Sequence, residues 1–310
     1  MKILLFFFVY FVSCYAHAAF KEQTVHLDTE TGHLVGSLLY DQAATNAPLA
    51  LLIAGSGPTD RNGNNPSMHN NSLKMLAQAL AQAGIASLRY DKRGVAESKE
   101  AGLAETDLRF NQYVNDAAAW LNLARQEYGF KHLVVIGHSE GSLIGMLVSQ
   151  QAEVSQFISI AGAGQRIDKI LLRQLATQPA VVVKQTSTIL EQLLKGASVA
   201  DVPPYLNALF RPSVQPYMIS WLKYDPQLEI AKLKQPVLII QGTTDLQVTV
   251  EDAELLAQAN PKAIKQIIPE MNHVLKTTPL EGEQNIQSYN QPDLPINSEL
   301  VQAITTFIKQ

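Results

Sequence analysis

Short, largely apolar runs recur along the chain, and amphipathic stretches at helical spacing separate them. The runs are Ala50–Ala54, Ile85–Leu88, Leu133–Ile136, Phe157–Ala161 and Val237–Ile240. Runs apolar on both faces read as strands covered on both sides, the kind found in parallel sheets. Between them, Leu73, Leu76 and Leu80 lie at helical spacing before the stop Gly84, and Leu108–Tyr128 reads as an amphipathic helix. Leu143–Val148, about Val250–Ala259 and a closing stretch to Phe307 add further helices, and Ile264–Ile268 a further strand. Strand and helix in alternation predict an α/β fold with a mostly parallel, doubly wound sheet and a site at the strands' carboxyl ends. Residues 20–40 alternate loosely around Asp28–Gly32 and predict an antiparallel hairpin at one sheet edge.

The rhythm breaks over residues 165–234, where helical patterns run between Pro203-Pro204, Pro212 and Pro216. This predicts a helical lid inserted into a core of residues 19–164 and 235–310. Both ends of the insertion emerge near the sheet's carboxyl edge, so Phe210, Met218 and Trp221 are expected to face the site and line an acyl pocket.

Residues 1–18 stand apart. Lys2, the apolar run Ile3–Val12 and Ala16-His17-Ala18 form a secretory signal, with cleavage expected between Ala18 and Ala19. The apolar run is short for a membrane span, so no stable membrane insertion is expected after cleavage, and the mature chain is expected in the periplasm or medium. A competing pattern, Val12-Ser13-Cys14, would make Cys14 a lipid-modified residue. Cleavage after Ala18 removes the only cysteine, so the mature chain could form no disulfide and must depend on its core. A net charge of −4 in 310 residues, with no basic run, speaks against a nucleic-acid partner. No Cys/His cluster is spaced for a metal.

The candidate chemistry lies where the Leu133–Ile136 strand meets Gly137-His138-Ser139-Glu140-Gly141 and a helix follows. Strand, sharp turn with a serine, and helix make the G-x-S-x-G nucleophile elbow, in which side chains at 137 or 141 would strike neighbouring backbone. Asp245 lies just past the Val237–Ile240 strand, and His273 past the next. Serine, aspartate and histidine in that order can make a triad: His273 takes the Ser139 proton, and Asp245 fixes the imidazole's tautomer. The oxyanion needs donors. The elbow offers the Glu140 N–H, and the Gly/Asn-rich loop after Ala54 offers the N–H of Ser56 or, failing that, Gly57. Asp60, Arg61, Asp91 and Arg93 are read as braces between neighbouring loops.

These pieces, with Gly55-Ser56-Gly57-Pro58, Arg89-Tyr90-Asp91-Lys92-Arg93-Gly94, Gly242–Asp245 and Asn272-His273, resemble the α/β-hydrolase superfamily, and in particular its esterases, dienelactone-hydrolase-like proteins and serine aminopeptidases. The resemblance runs from about Leu49 to the end. It departs at Ala54, where many members carry histidine. It implies the α/β-hydrolase fold, the triad Ser139, Asp245 and His273, and no cofactor. The expected function is hydrolysis of small to medium carboxylic esters through an acyl-enzyme. The alternatives are a peptidase or amidase, and a non-catalytic binding protein on the same fold.

Overall fold

The computed structural model describes residues 20–42, 46–280 and 282–310. The leader and its cleavage site lie outside them. The described strands are β1 (Phe20–Thr29), β2 (Gly32–Asp41), β3 (Leu49–Ile53), β4 (Ala86–Tyr90), β5 (Leu133–His138), β6 (Gln156–Ile160), β7 (Val237–Gly242) and β8 (Ile264–Ile268). They form one eight-stranded sheet in the order β1-β2-β4-β3-β5-β6-β7-β8. The β1–β2 hairpin and its join to β4 are antiparallel, and every later pairing is parallel.

The helices are α1 (Ser72–Gln82), α2 (Phe110–Gln126), α3 (Glu140–Gln151), α4 (Ile167–Gln174), α5 (Ala180–Leu194), α6 (Asn207–Phe210), α7 (Gln215–Trp221), α8 (Pro226–Ile230), α9 (Val250–Ala259), α10 (Glu283–Gln287) and α11 (Ser298–Ile308). The period-2 alternation of the buried strands sorts their side chains between two cores. Leu49, Leu51, Ile53, Leu133, Val135, Val237 and Ile239 pack with α2, α3 and α9 on one face. Ala50, Leu52, Val134, Ile136, Leu238 and Ile240 pack with α1 and α11 on the other. Each fully buried aliphatic side chain contributes about 1.5–3 kcal/mol, so a strand apolar on both faces can only sit between two helical layers.

The segment between β6 and β7 is helical, as its pattern predicts, but its aromatic residues do not face the site. Trp221 stacks on Phe110 of α2 with ring centroids 5.5 Å apart, and Tyr217 packs edge-on against Tyr113. Phe210 and Met218 are buried in the α2-side core. The physical reason is α2 itself. Its outward face carries Phe110 and Tyr113, and an apolar helix face has to be covered. The insertion covers it.

Two local readings also shift. Helix α3 begins at Glu140, directly after the serine, rather than near Leu143. The stretch after His273 is not wholly irregular, because α10 and a 3₁₀ turn over Ser288–Asn290 fold within it.

The end of β7 is packed so closely that only glycine fits. A Cβ on Gly242 would lie 1.9 Å from the Met271 carbonyl oxygen, two residues before His273. Gly242→Ala should therefore force β7 and the 268–273 loop apart and cost about 2–4 kcal/mol in urea unfolding. A variant as stable as the parent would refute that packing.

Candidate active site

Strand β5 ends at His138, and the next residue turns back so sharply that Ser139 takes φ 55°, ψ −120°. A side chain in that region costs about 1–3 kcal/mol and persists only where its surroundings dictate it. Here they do. A Cβ at Gly137 would lie 2.2 Å from the Gly141 carbonyl oxygen, and one at Gly141 would lie 2.3 Å from that of Ile53. The turn is thus pressed against β3, and the Ser139 N–H donates to the Ile160 carbonyl at 3.0 Å. Because α3 starts at Glu140, the first N–H groups of that helix have no partner within it.

Asp245 and His273 leave the ends of β7 and β8 and meet. The Nδ1–H of His273 donates to Asp245 Oδ2 at 2.7 Å, with both side chains buried. Asp245 is held from every side. Its Oδ2 also accepts from Gln241 Nε2 at 3.1 Å, and Oδ1 accepts from the N–H groups of Gln247 and Val248 at 2.7 and 3.0 Å. Burial alone would push this carboxyl up, but His273 and these donors outweigh it and hold it below the ordinary value. With Nδ1 occupied, Nε2 is the nitrogen left to accept a proton.

His138 joins the elbow to the histidine loop. Its Nε2 lies 2.8 Å from the His273 carbonyl, which can only accept, so Nε2 carries the proton. The two imidazole centroids are 4.8 Å apart. Burial, with His273 beside it, pulls His138 down to about 4, so it stays neutral at ordinary pH.

Ser139, His138 and His273 open onto one cavity of about 520 Å³. Ser56 lines it, and a Cβ on Gly55 would lie 3.2 Å from that of Ser139, so the loop after β3 passes beside the hydroxyl. No hydrogen bond joins Ser139 to His273, a contact that in free enzymes is often long and tightens on binding. Phe210, Met218 and Trp221 do not line this cavity. Its walls come from the 59–71 loop, the start of α1, and Leu246, Gln247, Ile286, Tyr289 and Asn290. The last three lie in the stretch that reads as irregular in sequence, and a network of side-chain amides holds it in place. Asn272 donates to Asn285 and Ser288, and Asn285 donates to the Thr244 and Pro279 carbonyls. Gln247 reaches Tyr289, and the His69 N–H donates to Asn290 across the opening. The loop charges brace this frame: Arg61 is bidentate on Asp91 through its backbone and guanidinium, and Arg93 pairs with Asp116. Among the described residues no cluster of three His, Cys, Asp or Glu side chains is placed to hold a metal ion.

Residues 67–277, more than half of the chain, match the family described as "Serine aminopeptidase, S33". The chain belongs to that α/β-hydrolase family. Among individual relatives, esterase EstD of Thermotoga maritima is 25% identical over 269 residues, covering 82% of this chain; the chain spans 62% of that protein's length. Among solved structures, Est1E of Butyrivibrio proteoclasticus superposes with a TM-score of 0.60 at 16% identity, covering 92% of this chain and 98% of that one. A Pyrococcus furiosus esterase, Pf2001, gives 0.56 at 15%, covering 94% and 92%. At such identities the structural likeness speaks for the α/β-hydrolase fold. The family match takes in Ser139, Asp245 and His273, while the cavity walls at Ile286, Tyr289 and Asn290 lie beyond it.

His138 gives this member of the family an acid-side signature. An unfolded His138 takes up a proton near its ordinary 6.5, whereas the folded one resists until about 4. Between those values the unfolded chain binds more protons, so stability falls as pH falls through that window. His138→Gln should flatten this loss by about 2–3 kcal/mol in urea melts taken between pH 6.5 and 4. Parallel curves for variant and parent would place the imidazole in water.

Proposed function

We propose that the chain is a serine hydrolase of small to medium, uncharged carboxylic esters, acting through an acyl-enzyme. The reading rests on one observation. The Asp245–His273 hydrogen bond, at 2.7 Å, stands over the same cavity as a serine held in a strained turn. In this reading Ser139 Oγ attacks the ester carbonyl while His273 Nε2 takes its proton. His273 returns the proton to the departing alcohol, then activates the water that releases the acid. Asp245 keeps Nδ1 protonated and steadies the imidazolium. The developing oxyanion is received by the N–H groups of Glu140 and Ser56.

The lining supports a neutral ester. Among the described lining residues there is no Asp, Glu, Lys or Arg, and Met68, Leu73, Leu246, Val274 and Ile286 alternate with amides and hydroxyls. The family's description makes an aminopeptidase the second reading. Such an enzyme has to hold a substrate ammonium, and no carboxylate is among the described lining residues to do so. A purely binding role leaves the buried Asp–His pair without a purpose.

Export completes the proposal. The leader pattern supports a mature chain beginning at Ala19 in the periplasm or medium, and no described helix is long and apolar enough to cross a membrane. Amino-terminal sequencing of the mature protein should read from Ala19, and an acylated Cys14 would overturn that boundary.

The central test is covalent. A fluorophosphonate should label the parent chain and not Ser139→Ala, whose turnover should drop by roughly four to six orders of magnitude. Asp245→Asn should lose roughly four. On a panel of p-nitrophenyl esters beside aminoacyl-p-nitroanilides, the short esters should be turned over fastest. Ile286→Ala and Tyr289→Ala should shift the chain-length profile, whereas Phe210→Ala should lower stability and leave the profile as it was. Persistent labelling of Ser139→Ala, or faster anilide than ester cleavage, would refute the assignment.

A further inference from the structure

The charge run Asp91-Lys92-Arg93 contains one residue that bracing does not explain. Lys92 is 1% exposed, far from the ordinary place of a lysine. Its Nζ donates to the Gly55 carbonyl at 2.6 Å and lies 3.5 Å from Glu140 Oε1, whose side chain is also buried. The Tyr113 ring closes over it with its centroid 5.1 Å from Nζ. Burying an ammonium costs several kcal/mol unless it is paired and hydrogen-bonded, and Glu140 and the carbonyl supply both. Burial pulls Lys92 down and Glu140 holds it up.

The two partners are not arbitrary. The Gly55 carbonyl and the Ser56 N–H belong to one peptide unit, which is trans, so they point in opposite directions. A donor that anchors the carbonyl on the buried side therefore turns the Ser56 N–H toward the cavity that Ser56 lines. Glu140, the other partner, is the residue whose own N–H begins α3 beside Ser139. The two peptide groups reach the site on separate strands' loops, β3 and β5, and glycine at 55 leaves the first of them free to rotate. A buried cation hydrogen-bonded to the first, and ion-paired at 3.5 Å with the side chain of the residue that carries the second, ties the two loops together. It also polarises the Gly55–Ser56 peptide, which strengthens its N–H as a donor.

We infer that Lys92 is the positioning residue of the oxyanion site, clamping the Gly55–Ser56 peptide to Glu140 so that both N–H groups meet the developing charge. The inference rests on the serine-hydrolase reading above. It assigns Lys92 no contact with substrate, and its effect is confined to the transition state. Substrate binding is left alone.

The test uses the full chain carrying Lys92→Met, and also Lys92→Met combined with Glu140→Gln, which leaves no unpaired charge in the interior and so guards against a variant that fails to fold. Active sites are counted by fluorophosphonate labelling. Turnover of p-nitrophenyl acetate is then measured per labelled site, together with inhibition by a short alkyl trifluoromethyl ketone, whose adduct carries an oxyanion. Misdirecting one donor should lower kcat roughly 10- to 100-fold with KM within about twofold, and weaken the ketone by the same factor as kcat. Both variants should behave alike. A kcat per site equal to the parent's, with only the melting temperature lowered, would make Lys92 a structural residue and overturn the inference. So would a rise in KM at constant kcat. Labelling and turnover of the parent chain report on the hydrolase reading separately: that reading survives any result from the lysine variants, whereas a parent that neither labels nor turns over would defeat both.

Discussion

The structure depends on how closely backbone can approach backbone around Ser139. A residue at φ 55° between a strand and a helix is not stable by itself, and two glycines allow β3 and the first turn of α3 to press the turn into shape. That contact sets the level of the loop after β3 and the start of α3, and with them the Lys92 clamp. The hydrogen bond from Ser139 to Ile160 then ties the turn to β6, and the His138 ring ties it to the His273 loop. A loose elbow would leave each of these groups intact but unaligned.

Charge is handled by enclosure rather than by exposure. Asp245 is satisfied by two backbone N–H groups, a buried glutamine and His273, so it can stay ionised in the interior. Lys92 and Glu140 neutralise each other directly behind the site. Among the described residues, none that lines the cavity in front carries a fixed charge. Electrostatic force is thus kept behind the reacting groups, where water cannot screen it and no substrate competes for it.

Much of this was legible in the sequence for physical reasons that can be named. Buried parallel strands carry continuous apolar runs, so β3, β5, β6 and β7 stand out against helical periodicity. The elbow glycines, Asp245 and His273 each sit at a strand's end, and the α/β-hydrolase fold that their order implies is the one found. Apolarity says that Phe210, Met218 and Trp221 are buried but not against what, and the aromatic face of α2, which has to be covered, claimed them. Ile286, Tyr289 and Asn290 were invisible because a network of side-chain amides places them, and such networks leave no period. Lys92 was hidden inside a charge run, where composition suggests solvent.

The helical segment between β6 and β7 covers α2 and stays clear of the cavity, while part of the cavity's wall is made by two short stretches that a hydrogen bond joins across 221 residues of chain. Stability and selectivity are therefore encoded in different places. Descendants of this sequence can lengthen, shorten or repack the insertion under selection for robustness without disturbing what the pocket accepts. A handful of substitutions near residues 65–73 and 286–290 can redirect the pocket while the body of the protein stands still.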